Sequence, residues 1–255
     1  MSFIKDLGYK TLDAVNFGKG VKRQISGETI RFPARWSRYY EADYEPETFR
    51  FFHENLKAGD TVLDIGGHIG LMAVVTAKLV GPTGKVFSFE PTPFTRSVLK
   101  QVVELNQCSE TVEVRGEAVS SRRGETVFFD TGNLLSVANS LVKTELSKTE
   151  IPITLISVDE FVAERGLTVN CLKIDVEGAE MDVLTGARDT FLNMRPIARL
   201  GLHPQFIVQN GRQTLDDIWQ TLTDYKLSVI FDGERVEKDW FCSQPDLFDV
   251  NLIPS

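Results

Sequence analysis

Three acids stand where an extended stretch gives way to a turn. They are Asp64 in Val62-Leu63-Asp64-Ile65-Gly66-Gly67-His68-Ile69-Gly70-Leu71, Glu90 in Val86-Phe87-Ser88-Phe89-Glu90-Pro91, and Asp175 in Cys171-Leu172-Lys173-Ile174-Asp175-Val176-Glu177. The first segment runs from a strand pattern straight into a helix, the place where an open α/β sheet forms its ligand crevice. A dinucleotide fingerprint needs glycines spaced G-x-G-x-x-G. Counted from Gly66, the two later positions hold His68 and Leu71, so the spacing disfavours nicotinamide and flavin. An acid at the strand end disfavours a pyrophosphate and suits a cationic amine or sulfonium, while Gly66 and Gly70 let the backbone approach a ligand closely. S-adenosylmethionine carries both cations. The bland alternative makes Asp64 the cap of an ordinary strand-to-helix turn. Glu90, at the end of the second strand, is placed for two hydrogen bonds from a ribose diol, although solvated glutamates also end strands. After the third strand, Arg115-Gly116-Glu117-Ala118 offers a further acid, suited to an adenine amino group or to solvent. His68, in the turn, is placed to contact a cofactor through its backbone.

A central strand of a parallel sheet is covered on both faces and reads as a nearly unbroken apolar run. Residues 171–177 do not, because Lys173, Asp175 and Glu177 alternate with Leu172, Ile174 and Val176 and turn three charges to one side. Buried charge is costly unless paired, which marks Asp175 as functional. Lys173 reads either as the counter-ion of Asp175 or Asp64 or as an active-site cation. In Glu177-Gly178-Ala179-Glu180 both acids open a helix and complement its dipole; Glu177 is open to a role in the site, and Glu180 reads as a dipole partner only. The next strand ends in Leu202-His203-Pro204. Neighbouring strands bring His203 near these carboxylates, as a general base for a substrate hydroxyl, as part of a divalent-metal site, or as a structural histidine.

These residues need a scaffold, and the chain spells one out. Thr61 to Ile65, Lys85 to Phe89, Val112 to Val114, Glu125 to Phe129, Ile151 to Ile156, Cys171 to Val176, Ala198 to Leu202, Leu227 to Phe231 and Phe248 to Ile253 read as strands. Gly70 to Leu79, Pro93 to Leu105, Ser157 to Arg165, Ala179 to Leu192 and Thr214 to Tyr225 read as helices between them. The alternation implies an α/β fold, a mostly parallel sheet with helices on both faces, and the last two strands suggest an antiparallel edge hairpin. Residues 1–55 form an aromatic leader ending in an amphipathic helix from Pro46 to Leu56 that caps the site. Residues 56–255 form the main domain, and 131–150 interrupt it as a lid or hairpin whose Asn139, Ser140 and Leu141 are placed to bind substrate.

Composition narrows the class further. The 255 residues suit one large α/β domain, and 42% hydrophobic with 25% charged residues is ordinary globular composition. A net charge of −8 argues against nucleic acid as a partner. Three scattered cysteines, Cys108, Cys171 and Cys242, support neither a disulfide framework nor a zinc ribbon and fit a reducing compartment. The start, MSFIKDLGYKTLDAV, lacks the pattern of a signal peptide, and the run from Leu71 to Val80 is broken by Lys78, so no membrane span and a cytoplasmic location are expected.

The segments 59–70, 89–93 and above all Leu172-Lys173-Ile174-Asp175-Val176-Glu177-Gly178-Ala179-Glu180 resemble the FkbM family of S-adenosylmethionine-dependent methyltransferases, over roughly residues 40 to 207. The resemblance implies a class I methyltransferase, a Rossmann-like seven-stranded fold, and O-methylation of a hydroxyl on a sugar, polyketide or other small metabolite. It also implies that Asp64, Gly66 and Gly70, with Gly67 between them, hold the methionine part. Glu90, followed by Pro91, takes the ribose, and Asp175 stands between cofactor and substrate. Tyr44-Glu45-Pro46 matches the family's entry segment. One departure stands out: where the family commonly has an acid two residues before the histidine, this chain has Gly201. That weakens a divalent-metal site and strengthens His203 as the base, helped by Asp175 or Glu177. Methylation of nitrogen, a non-catalytic binding module of the same fold, and an oxidoreductase or nucleotide-sugar enzyme remain as rivals, the last already opposed by the glycine spacing. The acceptor, metal dependence and oligomeric state are not legible.

Overall fold

The computed structural model describes Tyr9 and residues 18–130, 149–210 and 213–255. The expected lid, with Asn139, Ser140 and Leu141, lies outside them apart from residues 149 and 150. The leader contains a hairpin that its irregular pattern concealed, β1 (Val21–Ile25) and β2 (Glu28–Phe32). Its two-residue turn places Ser26 at φ 44° and Gly27 at φ 89°, the double left-handed conformation that matches strand twist. Helix α1 (Pro46–Asn55) follows, with proline in its first turn and Phe49 and Phe52 buried.

The alternation then begins with β3 (Thr61–Ile65), α2 (Leu71–Val80), β4 (Lys85–Phe89), α3 (Pro93–Leu105) and β5 (Val112–Arg115). Strands β6 (Ala118–Val119), β7 (Gly124–Asp130) and β8 (Thr149–Ile156) leave it to form a three-stranded sheet of their own. It resumes through α4 (Val158–Arg165), β9 (Cys171–Ile174), α5 (Glu180–Gly186) and β10 (Ile197–Leu202). The chain closes with α6 (Pro204–Asn210), α7 (Leu215–Asp224), β11 (Leu227–Phe231), β12 (Glu234–Arg235), α8 (Lys238–Cys242) and β13 (Phe248–Pro254). Both α4 and α7 start on reciprocal capping boxes, Ser157 with Glu160 and Thr214 with Asp217.

The main sheet runs β12-β11-β13-β10-β9-β3-β4-β5. Strands β5, β4, β3, β9 and β10 are parallel to one another, and β13 inserts antiparallel between β10 and β11. Seven long strands therefore make the sheet, with the two-residue β12 added at its edge. The closing pair is antiparallel, and β13 is its inner member. Leu63, Ile65, Phe87, Phe89, Leu172 and Ile174 pack on one face against α4, α5 and α7. Val62, Val86 and Cys171 pack on the other against α1, α2 and α3.

Two elements differ from the sequence pattern. The strand beginning at Cys171 stops at Ile174: Asp175 N makes its last ladder bond, to Ile65 O (3.1 Å), and beyond it Glu177 is left-handed at φ 54°. The expected helix from Ala179 to Leu192 breaks after Gly186 and resumes as a π-helical turn, Thr190–Met194. Gly186 sits so close to Ser120 O that a Cβ would lie 2.2 Å from it. Beyond it, the Asp159 carboxylate starts a new turn by accepting from Asp189 N, Thr190 N and Thr190 Oγ1 at 2.9, 2.8 and 2.7 Å.

One feature of the sheet bears directly on function. Ser88, Asp64, Lys173, Arg199 and Asn251 are register partners on five adjacent strands, a single polar row across the face toward α1. The first four are buried.

Candidate active site

Strand order reverses between β3 and β9, and the crevice of a doubly wound sheet opens at that point, beyond the carboxyl ends of the strands. The cleft found there encloses about 1090 Å³, its open mouth included. Its walls come from the glycine turn, the ends of β4 and β9, the stretch from Glu117 to Val119, and the leader aromatics Tyr39, Tyr40 and Tyr44.

The glycines serve packing as much as access. A Cβ on Gly66 would lie 1.9 Å from Asp175 O, and one on Gly67 would lie 2.1 Å from Ser88 Oγ. Gly70 is at φ 89° against Leu99 and caps α2. The turn is thereby pressed onto β9 and β4, and Gly66 N and Gly67 N both donate to Phe89 O (3.1 and 2.9 Å). Asp64 lies beneath this turn, wholly buried, and does not line the cleft; nor does Gly70. Asp64 Oδ2 accepts from Ser88 Oγ at 2.7 Å, while its Oδ1 has no partner among the described residues. Burial pushes the Asp64 carboxyl up, and Lys173 and Ser88 offset only part of that rise.

Glu90 and Pro91 do line the cleft. Glu90 accepts from His68 N (3.1 Å) and Thr92 N (2.8 Å), and burial raises its pKa to about 7 against those bonds. Arg96 Nη1 donates to Glu90 O and Pro91 O, both at 2.8 Å, and so fixes the strand end. Glu117 and Ala118 also face the cleft, but the Glu117 carboxylate is already engaged by Gly116 N (3.1 Å) and by Arg115, through Nε at 3.2 Å and through Nη2. Burial pushes the Glu117 carboxyl up, and Arg115 outweighs it, holding the group below its ordinary value.

At the β9 end, Lys173 Nζ donates to Gly66 O (2.9 Å) and pairs with Asp175 Oδ2 (3.1 Å). Burial works against its charge, but Asp175 and Asp64 outweigh it and hold Lys173 above the ordinary lysine value. Burial likewise pushes Asp175 up, and Lys173 and His203 outweigh it, so the carboxyl stays below its ordinary value with 37% of the side chain exposed. His203 is not a cleft wall. Its Nε2 lies 3.6 Å from Asp175 Oδ1, so Asp175 stands between imidazole and cleft. Its Nδ1 bonds to Glu180 Oε1 at 2.8 Å, and Glu180 is fully buried and also accepts from Gly178 N at 3.0 Å. A carboxylate partner places the proton on Nδ1 and leaves Nε2 as the basic nitrogen. Burial acts against a charged imidazole, yet Glu180 and Asp175 outweigh it and raise the His203 pKa. Glu180 therefore does far more than complement a helix dipole; its spacing of five from Asp175 across a glycine turn was the available signal. Glu177 faces the cleft with Oε2 unpartnered among the described residues, and burial, Asp175 and Glu90 push its pKa up to about 9.

Over the turn, Tyr40 Oη lies 3.0 Å from His68 Nδ1, and Tyr39 packs on the same ring at 5.1 Å. Burial lowers the His68 pKa to about 4 and keeps it neutral. Tyr44 and Glu45 border the same cavity. No group of three or more His, Cys, Asp or Glu among the described residues is arranged to hold a metal ion. No helix among them is long and apolar enough to cross a membrane.

A doubly wound sheet with an inserted antiparallel strand, an acid under the glycine turn of its first strand and an acid ending its second define a class I S-adenosylmethionine-dependent methyltransferase. Residues 64–227 match the methyltransferase FkbM domain, and the chain belongs to that family. It is 30% identical over 214 residues to the hexuronic acid methyltransferase AglP of Haloferax volcanii, a match covering 81% of each protein. It is 28% identical over 163 residues to the 31-O-demethyl-FK506 methyltransferase FkbM of Streptomyces tacrolimicus, covering 52% of this chain and 62% of that one. Among solved structures it is similar to a methyltransferase FkbM from Methylobacillus flagellatus, with a TM-score of 0.46 and 14% identity over 81% of this chain and 51% of that one.

Proposed function

We propose that this chain methylates a hydroxyl of a small sugar or polyketide-type acceptor, with the cofactor in the cleft between Glu90 and Asp175. The observation that carries the reading is Asp175, a single carboxylate shared between the cleft wall and His203. The donor set fits S-adenosylmethionine. Glu90 offers carboxylate oxygens to a ribose diol, the acids suit a cationic ligand, and the buried unpartnered atoms Glu177 Oε2 and His68 Nε2 call for a polar ligand. When bound, S-adenosylmethionine supplies an electrophilic methyl group on a sulfonium. Gly66 and Gly67 shape the floor, with Asp64 supporting it from below. Ala118 lies against the base side, where Glu117, tied to Arg115, supplies at most its outer edge to an adenine amino group. Asp175 orients the acceptor hydroxyl, and the proton leaves toward His203 Nε2, whose tautomer Glu180 fixes. Glu177, neutral at physiological pH, donates a hydrogen bond into the cleft. Tyr39, Tyr40 and Tyr44 exclude water, so the leader caps the site. The matched relatives, one acting on a hexuronic acid and one on FK506, support a sugar or polyketide acceptor. Three free thiols, two of them buried, support a cytoplasmic setting.

Calorimetric titration with S-adenosylmethionine tests the cofactor half. A hydrogen bond to a charged group contributes about 1.5–3 kcal/mol, so Glu90→Gln is expected to weaken binding roughly 10- to 100-fold. Because only ionised Glu90 accepts both hydroxyls, wild-type affinity is expected to rise with pH through about 7 and to be flat in the variant. Equal affinities for the two proteins would sink the assignment.

A further inference from the structure

Gly201 lies on β10 two residues before His203 and two after Arg199, so a side chain there would share Arg199's face. The space for that side chain is taken. A Cβ at 201 would lie 2.9 Å from Asp249 Oδ1 and 3.6 Å from Asp175 Oδ1. Asp249 is the register partner of Gly201 on the antiparallel strand β13, and its carboxylate reaches across the ladder into the gap the glycine leaves. It lies outside the residues that match the family, which end at 227.

The way Asp249 is held also points to a role. Its Oδ2 accepts from Arg199 Nη2 at 3.1 Å, and Arg199 is itself pinned by Asn251 Oδ1 (2.8 Å) and Thr48 Oγ1 (3.1 Å). Its Oδ1 has no hydrogen-bond partner among the described residues, and 24% of the side chain is exposed. One oxygen is thus anchored from below while the other is free beside Asp175. Anchoring to Arg199 explains the first oxygen only. Placing a second carboxylate next to Asp175 is unfavourable by itself, and the fold does so at the one position where a glycine gives it room.

We propose that Asp249 is a positioning residue of the catalytic end: from β13 it does what an acid at position 201 would do from β10, steadying the His203 imidazole together with Asp175. The inference rests on the reading of His203 as the proton acceptor and adds a carboxylate to it. The charged groups that face His203 are then Glu180, Asp175 and Asp249, with Lys173 behind Asp175.

The test exchanges the two positions. Imidazole NMR titrations of the full chain follow His53, His68 and His203 separately in the wild type, in Asp249→Asn, and in the double variant Gly201→Asp/Asp249→Gly. Asp249→Asn keeps an oxygen for Arg199 and so preserves the fold. It is expected to lower the His203 midpoint by roughly half a unit or more, leaving His53 and His68 in place, and the double variant is expected to restore the wild-type value. An unmoved His203 in Asp249→Asn, or a midpoint that the exchange leaves lowered, overturns the proposal. Should Asp249→Asn not fold, Asp249→Ser takes its place under the same criterion. Calorimetry with S-adenosylmethionine on the same proteins keeps the two readings apart. Absence of binding by the wild type refutes the proposed function without touching the His203 shift, whereas unchanged binding with an unshifted His203 refutes only the role of Asp249.

Discussion

Lys173→Met isolates the electrostatic support of the site. The methionine stem fills the volume of a side chain only 9% exposed but removes the cation that pairs with Asp175 and faces Asp64 across the ladder. Removing one partner of a buried ion pair costs about 3–5 kcal/mol. Asp175 keeps 37% of its side chain exposed, so water screens part of the loss and brings it to or below the low end of that range, about 2–3 kcal/mol, at neutral pH. The pH dependence separates this from a packing defect. With Lys173 present, the folded Asp175 pKa lies below its unfolded value, so the pair's contribution is complete above the unfolded pKa of about 3.9 and is lost as pH falls through the folded value. Without Lys173, burial lifts the folded pKa above the unfolded one, and stability then declines as pH rises through it. Asp64, already raised, moves further in the same direction. The gap between wild type and variant should therefore be small near about pH 4 and widest above about pH 7. Urea unfolding followed by circular dichroism across that range measures it. A gap of equal size at both ends, or one below about 1 kcal/mol at the upper end, would refute the charge-pair argument.

Two other outcomes follow from the geometry. Turnover with labelled S-adenosylmethionine should rise with pH through a midpoint above the ordinary histidine value, because His203 must be neutral to take a proton, and His203→Gln should abolish that rise; a wild-type profile without it argues for another base. Gly66→Ala should cost at least about 2 kcal/mol more than Gly27→Ala: both residues have φ between 80° and 90°, but a Cβ at 66 meets Asp175 O at 1.9 Å and one at 27 meets nothing within 4 Å, so equal losses in thermal unfolding would show that the contact is not rigid.

Much of the scaffold was legible because β-branched runs, caps and glycines mark it locally. The strands at Lys85–Phe89 and Leu227–Phe231 and the helix at Pro93–Leu105 match residue for residue. The hairpin of the leader is hidden because its strands, Val21-Lys22-Arg23-Gln24-Ile25 and Glu28-Thr29-Ile30-Arg31-Phe32, are half solvated and carry charges instead of an apolar run. A charge in the middle of a core strand marks Lys173 from the sequence alone. Ile197-Ala198-Arg199-Leu200 carries the same mark at Arg199, which is 8% exposed. Asp249 and Asn251 escaped for a different reason. Their alternation with Phe248, Val250 and Leu252 is that of a strand with one wet face, and only the insertion of β13 between β10 and β11 turns that face toward the site. Strand order is a long-range property, and no local pattern encodes it. Asp64 does not line the cleft for a similar reason, since a side chain one residue before the strand end lies below the turn.

The two rows of the sheet explain why Asp175 remains charged at the edge of the site. Moving two residues along each strand from the buried row Ser88, Asp64, Lys173, Arg199 and Asn251 gives Glu90, Gly66, Asp175, Gly201 and Asp249, since β13 runs the opposite way. The lower row carries both cations and the upper row carries three acids. Lys173 pairs upward with Asp175 and Arg199 with Asp249, strand by strand. Glycines alternate with the acids, and each gives its space to a neighbour: Gly66 to the backbone of Asp175, Gly201 to the carboxylate of Asp249. A carboxylate at a strand end would otherwise respond to burial by taking up a proton. Glu90, which has no cation beneath it, is pushed up to about 7, and burial also pushes Asp249 up to about 6 because Arg199 offsets only part of it, whereas Asp175, above Lys173, is held down. The buried row thus supplies counter-charge to the row above it, outweighing burial at Asp175 and offsetting part of it at Asp249.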